Sequence, residues 1–193
     1  MEKRTDEILS FLKEIEKYKT IERKTYSSNP ARKESDAEHS WHLAMFIILF
    51  EKELPANIDF KKMLKLALIH DLPEIYAGDT FAFDKEKQIN KSERESLAAK
   101  ELFSRLPDDL HKEFIELFEE YEHTETKESK IVKSLDKIQP ILQNLCSDGK
   151  SWRENNIALS DVDNYKRKYM THDKFILSLY EKLLAEAKNK NLF

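Results

Sequence analysis

Histidine and aspartate side chains interrupt some of the most apolar stretches of this sequence. His70 and Asp71 directly follow the run LKLALI, and His39 lies in the first turn of AEHSWHLAMFIILF, which is apolar on nearly all sides. Asp136 stands on the flank of an apolar stripe within KESKIVKSLDKIQPILQNL. A carboxylate beside a core is costly unless it is paired or bound to a metal. The four side chains are therefore candidates for metal ligands.

The position of His70 and Asp71 restricts how both could bind one ion. Adjacent helical residues diverge by about 100°, so two neighbours share an ion only at a helix end or beside a common cavity. Pro73 follows closely and is predicted to end a helix of about 60–71. The other His-Asp pair, His172-Asp173, follows Thr171 at a predicted helix start, and we interpret it as structural.

Each candidate also has an ordinary interpretation when it is taken alone. A single buried histidine is more often a satisfied structural residue than a ligand. A core aspartate such as Asp136 can instead pair with a lysine or arginine. Taken together, imidazole and carboxylate groups suit Mn, Co, Fe, Ni or Zn better than Ca, which prefers an all-oxygen shell. The sequence therefore predicts one divalent transition metal, of unspecified identity.

The elements that must position these residues are predicted to be helices. Apolar residues recur with helical period almost throughout the 193 residues. Gly78 and Gly149 are the only glycines, whereas an all-β chain needs many turn glycines and a phosphate-binding loop needs several together. The sequence predicts an all-α fold in which residues 1–193 form one domain.

Local signals predict where some of these helices begin. Residues 20–36 are polar, include Pro30 and are predicted to form a long loop. Ser35 and Glu38 then form a capping box that predicts a helix from about residue 37. Two C-terminal helices within 160–188 are expected to pack on a core that spans about 21–145. Their apolar residues could cover that core or form an interface between subunits.

Composition argues against several classes of protein. The net charge of -4 gives no support for binding a nucleic-acid polymer, which normally requires a basic excess. The N-terminal residues MEKRTDEILSF lack the apolar region of a secretory signal, and the longest apolar run, 43–50, is too short to cross a bilayer. A single cysteine, Cys146, cannot form an internal disulfide and fits a reducing compartment. We therefore expect a cytoplasmic protein without membrane partners.

The joint pattern H…HD…D, with the segments DAEHSWH, LALIHDLPEIYAGDT and KSLDKIQ, resembles the HD superfamily of metal-dependent phosphohydrolases. The resemblance extends over about residues 21–145 and is strongest to the branch that contains 5′-deoxynucleotidases. It implies a helical bundle that binds one divalent metal. The implied ligands are His39, His70, Asp71 and Asp136.

The same resemblance implies roles for residues around the metal. Glu74 occupies the position of the family's proposed general acid/base, and it can face the same cavity as Asp71 if helical geometry persists. Asp79 occupies the position of an active-site carboxylate near the substrate sugar, and Gly78 can supply the turn that brings it inward. Arg23 is expected to contact the phosphate. The family's tryptophan after this arginine is absent, and Trp41 is expected to lie in the core instead.

The leading functional prediction is a nucleoside 5′-monophosphatase that favours 2′-deoxy substrates and forms a homodimer, as relatives in this branch commonly do. A first alternative keeps the metal but hydrolyses a nucleotide pyrophosphate or a phosphodiester. A second alternative is a helical interaction protein with a structural metal. Glu74 and Asp79 argue against the second, because a structural metal site does not need them.

Overall fold

The protein, described over residues 2–193 by a computed structural model, is a bundle of α-helices with one small antiparallel β-hairpin. The helices are α1 Glu2–Glu14, α2 Asp36–Leu49, α3 Phe60–Ile69, α4 Glu74–Ala77, α5 Lys85–Gln88, α6 Lys91–Phe103, α7 Asp108–His123, α8 Lys127–Cys146, α9 Lys150–Glu154, α10 Leu159–Lys166 and α11 Lys174–Asn189. The strands are β1 Glu22–Tyr26 and β2 Lys33–Ser35, and short 3₁₀ helices cover Ile15–Thr20 and Arg167–Tyr169. The predicted all-α fold class is confirmed.

Three helices, α2, α3 and α8, pack against one another at the centre of the bundle. Helix α2 begins at the predicted capping box, in which the Ser35 hydroxyl accepts a hydrogen bond from the Glu38 amide and the Glu38 carboxylate accepts one from the Ser35 amide. Leu43 and Ile47 on its inner face are fully buried. This packing brings together the helices that carry the four candidate ligands.

The chain turns sharply after α3, as Pro73 predicts. The helix ends at Ile69, so His70 and Asp71 lie in the turn that leads to α4. Pro73 precedes the first residue of α4, and the Glu74 amide donates a hydrogen bond to the Asp71 carbonyl at 3.0 Å. Both side chains of the His-Asp pair can therefore face one point, which they could not do from the middle of a helix.

The segment 20–36 is not the long loop that its polar sequence predicts. It forms the hairpin of β1 and β2 after a 3₁₀ turn. Its inward side chains are polar: the Thr25 hydroxyl donates a hydrogen bond to Glu34 at 2.7 Å, and Arg23 also faces inward. The alternating apolar pattern of an ordinary strand is therefore absent. Contacts between polar side chains, such as Thr25 with Glu34, hold the hairpin against the interior in place of apolar packing.

The C-terminal helix α11 mainly covers the core. Ile176, Tyr180, Leu183 and Leu184 are buried and belong to the same apolar cluster as the central helices. The helix is capped by Asp173, which accepts a hydrogen bond from the Ile176 amide at 3.0 Å, and not by Thr171. This role supports the structural interpretation of the second His-Asp pair.

The outer face of α2 is more exposed than its apolar sequence predicts. Trp41 is 63% exposed and Leu49 is 70% exposed, so the expectation that Trp41 lies in the core is wrong. A shallow apolar groove beside these residues is completed by Leu142, Leu179 and Leu183. None of the helices in residues 2–193 combines the length and the apolar character that a membrane span requires.

Candidate active site

The four predicted ligands converge where α2, the turn after α3, and α8 meet. His39 Nε2 lies 3.0 Å from Asp136 Oδ1, and His70 Nε2 lies 3.0 Å from Asp71 Oδ2. The cross distances, from His39 Nε2 to Asp71 Oδ2 and from His70 Nε2 to Asp136 Oδ1, are 3.7 and 3.8 Å. One ligand atom from each of His39, His70 and Asp136 lies within 4.8 Å of the others. A single ion can bridge atoms at this spacing.

Hydrogen bonds on the far side of each imidazole fix its tautomer. His39 Nδ1 lies 2.9 Å from Gln139 Oε1, and His70 Nδ1 lies 3.0 Å from the Ala67 carbonyl oxygen. The Gln139 amide is itself oriented, because its nitrogen donates to Glu34 at 2.6 Å. Both Nδ1 atoms therefore donate to oxygen acceptors, so Nε2 is the nitrogen that each ring offers to the site, and it carries a lone pair when the ring is neutral. Partners of this kind commonly orient metal-binding histidines.

This arrangement suits a cation between the rings and the carboxylates. A carboxylate oxygen 3.0 Å from each Nε2 is favourable only with a positive charge on the ring or between the two atoms, and His39 Nε2 lies at hydrogen-bond distance from Asp136 Oδ1. His70 Nε2 is buried and makes no hydrogen bond, although Asp71 is its neighbour. Burial and Arg23 lower the pKa of His39, but Asp136 and Asp71 oppose them so strongly that the net shift is upward. Two imidazole nitrogens and two carboxylates therefore fit a divalent transition metal.

One oxygen of Asp136 is held by neighbouring side chains, which leaves the other to face the histidines. Its Oδ2 accepts a hydrogen bond from the Tyr121 hydroxyl at 2.7 Å and forms an ion pair with Lys137 Nζ at 2.8 Å. Burial alone would raise the pKa of this carboxyl, but Lys137 and the two histidines hold it well below its ordinary value. Asp136 is therefore ionised and oriented before anything binds.

Arg23, which β1 presents to the site, neutralises several carboxylates at once. Its Nη1 donates to Asp36 Oδ1 and to Asp71 Oδ2, each at 3.1 Å, and lies 3.8 Å from Asp79 Oδ1. Gly78 has a φ of +74°, a conformation that favours glycine, and this turn after α4 brings Asp79 inward as predicted. The structure thus places Arg23 and Asp79 beside the predicted ligands.

Glu74, at the start of α4, is a buried carboxyl next to this cluster. It is 3% exposed, and its Oε2 has no hydrogen-bond partner. Burial, followed by the negative charges of Asp71, Asp36 and Asp79, raises the pKa of Glu74 well above its ordinary value. Burial also raises the pKa of Asp36 to about 6, although Arg23 opposes the shift. Burial and the neighbouring negative charges both favour the protonated form of Glu74 in the metal-free protein.

A cavity opens beside these residues and runs along α8. The helix presents Asp136, Lys137, Pro140 and Asn144 to it in succession. Asn144 is eight residues beyond Asp136, a rise of about 12 Å along an α-helix. Other elements contribute aromatic and amide-bearing residues to its lining: Phe81, Phe83, Gln88, Trp152 and Tyr165. Along α8, the lining therefore changes from a charged end at Asp136 and Lys137 to an uncharged end at Pro140 and Asn144.

Sequence reasoning missed several residues that shape this site. Gln139 lies three residues after Asp136 on the same flank of α8, and this spacing is the one signal that could have identified it. Tyr121 and Asp36 gave no such signal, because their contacts with the site are tertiary. His42 lies 3.2 Å from the Gln139 amide nitrogen and supports the site from behind.

Comparison with known proteins places this site in a family context. The model of the HD domain family matches residues 15–175. The 5′-deoxynucleotidase HDDC2 proteins of Bos taurus and Homo sapiens are each 34% identical to this chain over 137 residues, or 70% of it. A predicted metal-dependent phosphohydrolase from Magnetospirillum magnetotacticum MS-1 is 35% identical, covers 98% of both chains and superimposes with a TM-score of 0.89.

The extent of these matches differs between the two kinds of relative. The aligned segments cover 65% and 66% of the bovine and human relatives, which is just under two thirds of their own length. The bacterial structure, in contrast, matches nearly all of this chain, and the family model matches most of it. The protein belongs to the HD domain family.

Proposed function

We propose that this protein is a metal-dependent phosphohydrolase that acts on nucleoside 5′-monophosphates. The observation that carries the proposal is the convergence of His39, His70, Asp71 and Asp136 at one point, beside the buried acid Glu74. Membership in the HD family implies a divalent metal, and this His/Asp cluster is the place for it. The names of the bovine and human relatives support a nucleotide substrate.

The proposed ligands are His39 Nε2, His70 Nε2 and carboxylate oxygens of Asp71 and Asp136. They would hold one ion of Mn, Co, Fe, Ni or Zn. When bound, such an ion lowers the pKa of a coordinated water and polarises a phosphoryl oxygen. The chain contributes the orientation of its ligands: Gln139 fixes the His39 ring, and the Ala67 carbonyl fixes the His70 ring.

Glu74 is proposed to act in proton transfer and not in ligation. Burial and the neighbouring carboxylates raise its pKa well above the ordinary value, which favours the protonated form that can donate a proton to the oxygen leaving with the nucleoside. Burial excludes bulk water from this carboxyl and protects that proton. A carboxyl that served only as surface charge would have neither property.

The cavity offers contacts for the rest of a nucleotide. Arg23 uses Nη1 for its carboxylate partners, which leaves its Nη2 for a phosphate oxygen. Asp79 is proposed to lie near the sugar. Beyond the phosphate, the uncharged end of the cavity near Pro140 and Asn144 gives room for a nucleoside.

The proposed preference for 2′-deoxy substrates rests on Asp79. A carboxylate and packed side chains near C2′ leave poor room for an extra hydroxyl, whose burial without a partner is costly. The opposite preference would follow if Asp79 accepted a hydrogen bond from a 2′-hydroxyl. Whether the protein prefers the deoxy or the ribo substrate therefore distinguishes these two roles of Asp79.

The test is a comparison of kcat/KM for dAMP and AMP with the same metal. We expect hydrolysis of both, with the higher value for dAMP. Equal values would reduce the function to that of a general 5′-nucleotidase. Inactivity on both substrates, together with hydrolysis of a nucleotide pyrophosphate, would replace this proposal with a pyrophosphohydrolase function.

A phosphodiesterase function and a purely structural metal have less support. A phosphodiesterase with two metals would require additional histidines as metal ligands. Within residues 2–193, the only other group spaced to hold an ion consists of the carboxylates Asp36, Asp71 and Glu74, two of which already pair with Arg23. A structural metal would not need a buried Glu74 with a raised pKa beside it.

Three broader features of the protein are also proposals. One is that residues 1–193 form one HD domain, because the buried residues of α11 share the core of the central helices. A second is a cytoplasmic location, which fits the lone Cys146. The third is a homodimer, for which the apolar groove beside Trp41 and Leu49 is a suitable surface. Sedimentation as a monomer at micromolar concentration would contradict the homodimer.

A further inference from the structure

One buried lysine in the cavity is neither a proposed metal ligand nor one of the proposed substrate contacts. Lys166, the last residue of α10, is 5% exposed, and its side chain lines the cavity. Its Nζ donates one hydrogen bond, at 2.6 Å, to the Lys137 carbonyl oxygen. No carboxylate within residues 2–193 lies at ion-pair distance from it. Because an ammonium group has three donors, two remain without a protein acceptor.

The other cations that line the cavity and are partly buried differ from Lys166, because they have carboxylate partners. Each is paired with at least one carboxylate: Lys91 with Glu95 at 3.1 Å, Lys133 with Glu122 at 2.9 Å, Lys137 with Asp136 at 2.8 Å, and Arg23 with Asp36 and Asp71 at 3.1 Å. Lys24 also lines the cavity but is solvent-exposed. Lys166 is thus the cation that is both buried and without a carboxylate partner.

An unpaired buried ammonium is energetically unfavourable. Burial, and then the positive charge of Lys137, lowers the pKa of Lys166 to about 7. A structural lysine gains little from such a position, because an apolar side chain would fill the same space without the desolvation cost. An anionic ligand would remove the penalty by supplying the missing counter-charge.

The position of Lys166 indicates which part of a ligand it would meet. The charged groups that act on it are Lys137, Asp136 and Arg23, all of which belong to the charged end of the cavity. Its carbonyl partner, Lys137, directly follows the predicted ligand Asp136. In the proposed function, the phosphate of a substrate binds at this end and its nucleoside lies farther along the cavity.

We propose that Lys166 is a substrate-binding residue that donates hydrogen bonds to a phosphate oxygen, across the cavity from Arg23. This inference rests on the proposed phosphohydrolase function and adds to it a phosphate contact from the C-terminal helices. The competing explanation is structural. Pro140 has no N–H for the carbonyl of Asp136 four residues earlier, and a Lys166 that only satisfied the adjacent Lys137 carbonyl in this weakened turn of α8 would have no role in binding.

The test uses the full-length, Mn-loaded protein with inorganic phosphate as the probe. Lys166→Met removes the charge. Lys166→Gln also removes the charge but keeps a donor for the Lys137 carbonyl, and it replaces the methionine variant if that one does not fold. Lys166→Arg keeps the charge. Lys188→Met, at an exposed lysine of α11, is the matched control. Phosphate affinity, KM for dAMP, metal content and Tm are measured for each.

We expect Lys166→Met and Lys166→Gln to weaken phosphate binding and to raise KM roughly 10- to 100-fold, the usual effect of losing a hydrogen bond to a charged group. Lys166→Arg should recover part of this loss. Metal content should remain at the wild-type level in every variant, and Lys188→Met should behave as wild type.

Phosphate affinity within about twofold of wild type in both uncharged variants would overturn the proposal, whether or not their Tm falls. Failure of the wild-type protein to bind phosphate would overturn it as well. The two proposals can be separated. Phosphate binding that depends on Lys166 in a protein inactive on dAMP and AMP would contradict the proposed function alone. Normal dAMP hydrolysis by the uncharged variants, with unchanged KM, would contradict only the role of Lys166.

Discussion

Asp71→Ala is expected to release the metal and to reduce phosphate release from dAMP to background. The substitution removes a carboxylate whose Oδ2 lies 3.0 Å from His70 Nε2 and 3.7 Å from His39 Nε2. Loss of even an indirect partner of a metal ligand typically costs about 10- to 100-fold in affinity or activity, so loss of a ligand should cost more. Elemental analysis of the purified variant, together with a phosphate-release assay, measures both effects.

This substitution should leave the fold intact, because Arg23 keeps Asp36, Asp79 and Glu34 as partners. Asp6→Ala, at an exposed position in α1, is the matched control and should retain both metal and activity. Stoichiometric metal in correctly folded Asp71→Ala protein would count decisively against the ligand assignment.

Glu74→Gln is expected to keep the metal but to lose roughly 10²- to 10⁴-fold in kcat, the usual contribution of a general acid or base. Glutamine has nearly the shape of a protonated glutamic acid and can still donate a hydrogen bond, but it cannot release a proton. Steady-state kinetics and elemental analysis on the same sample separate chemistry from metal binding. Turnover near that of wild type would assign the proton transfer to another group.

The stability of this variant provides an independent check. Burial raises the pKa of Glu74 in the folded, metal-free protein above its value in the unfolded chain. Such a carboxyl binds its proton more tightly when folded, so its contribution to stability falls as pH rises above the unfolded pKa. Metal-free Glu74→Gln should therefore be no less stable than wild type at pH 7. Glu51→Gln, at an exposed site, is the control for both measurements.

Much of this architecture could be predicted because its signals are local. The Ser35–Glu38 capping box and Pro73 mark helix ends through contacts within a few residues, and both were confirmed. The convergence of His70 and Asp136 could be anticipated because each side chain is out of place in its own apolar segment. An unexplained polar group in a core is a strong signal in a single sequence.

The features that were not predicted depend on contacts between distant parts of the chain. The β1–β2 hairpin was missed because Arg23 and Thr25 face inward toward polar partners, which removes the apolar alternation of a strand. Trp41 was placed in the core because α2 is apolar on nearly every side, and only the packing reveals which side is exposed. Lys166 reaches the cavity from α10, where neither its type nor its neighbours distinguish it from a surface lysine.

The measurement that tests the central claim most directly is phosphate release from dAMP by metal-free wild-type protein titrated with Mn. If the His/Asp cluster binds one metal that is required for hydrolysis, activity should be absent without metal, rise with added Mn and level off at one equivalent per chain. Full activity in protein shown to be metal-free would contradict the account. Tight binding of one equivalent of metal, with no hydrolysis of any phosphate ester, would contradict it equally.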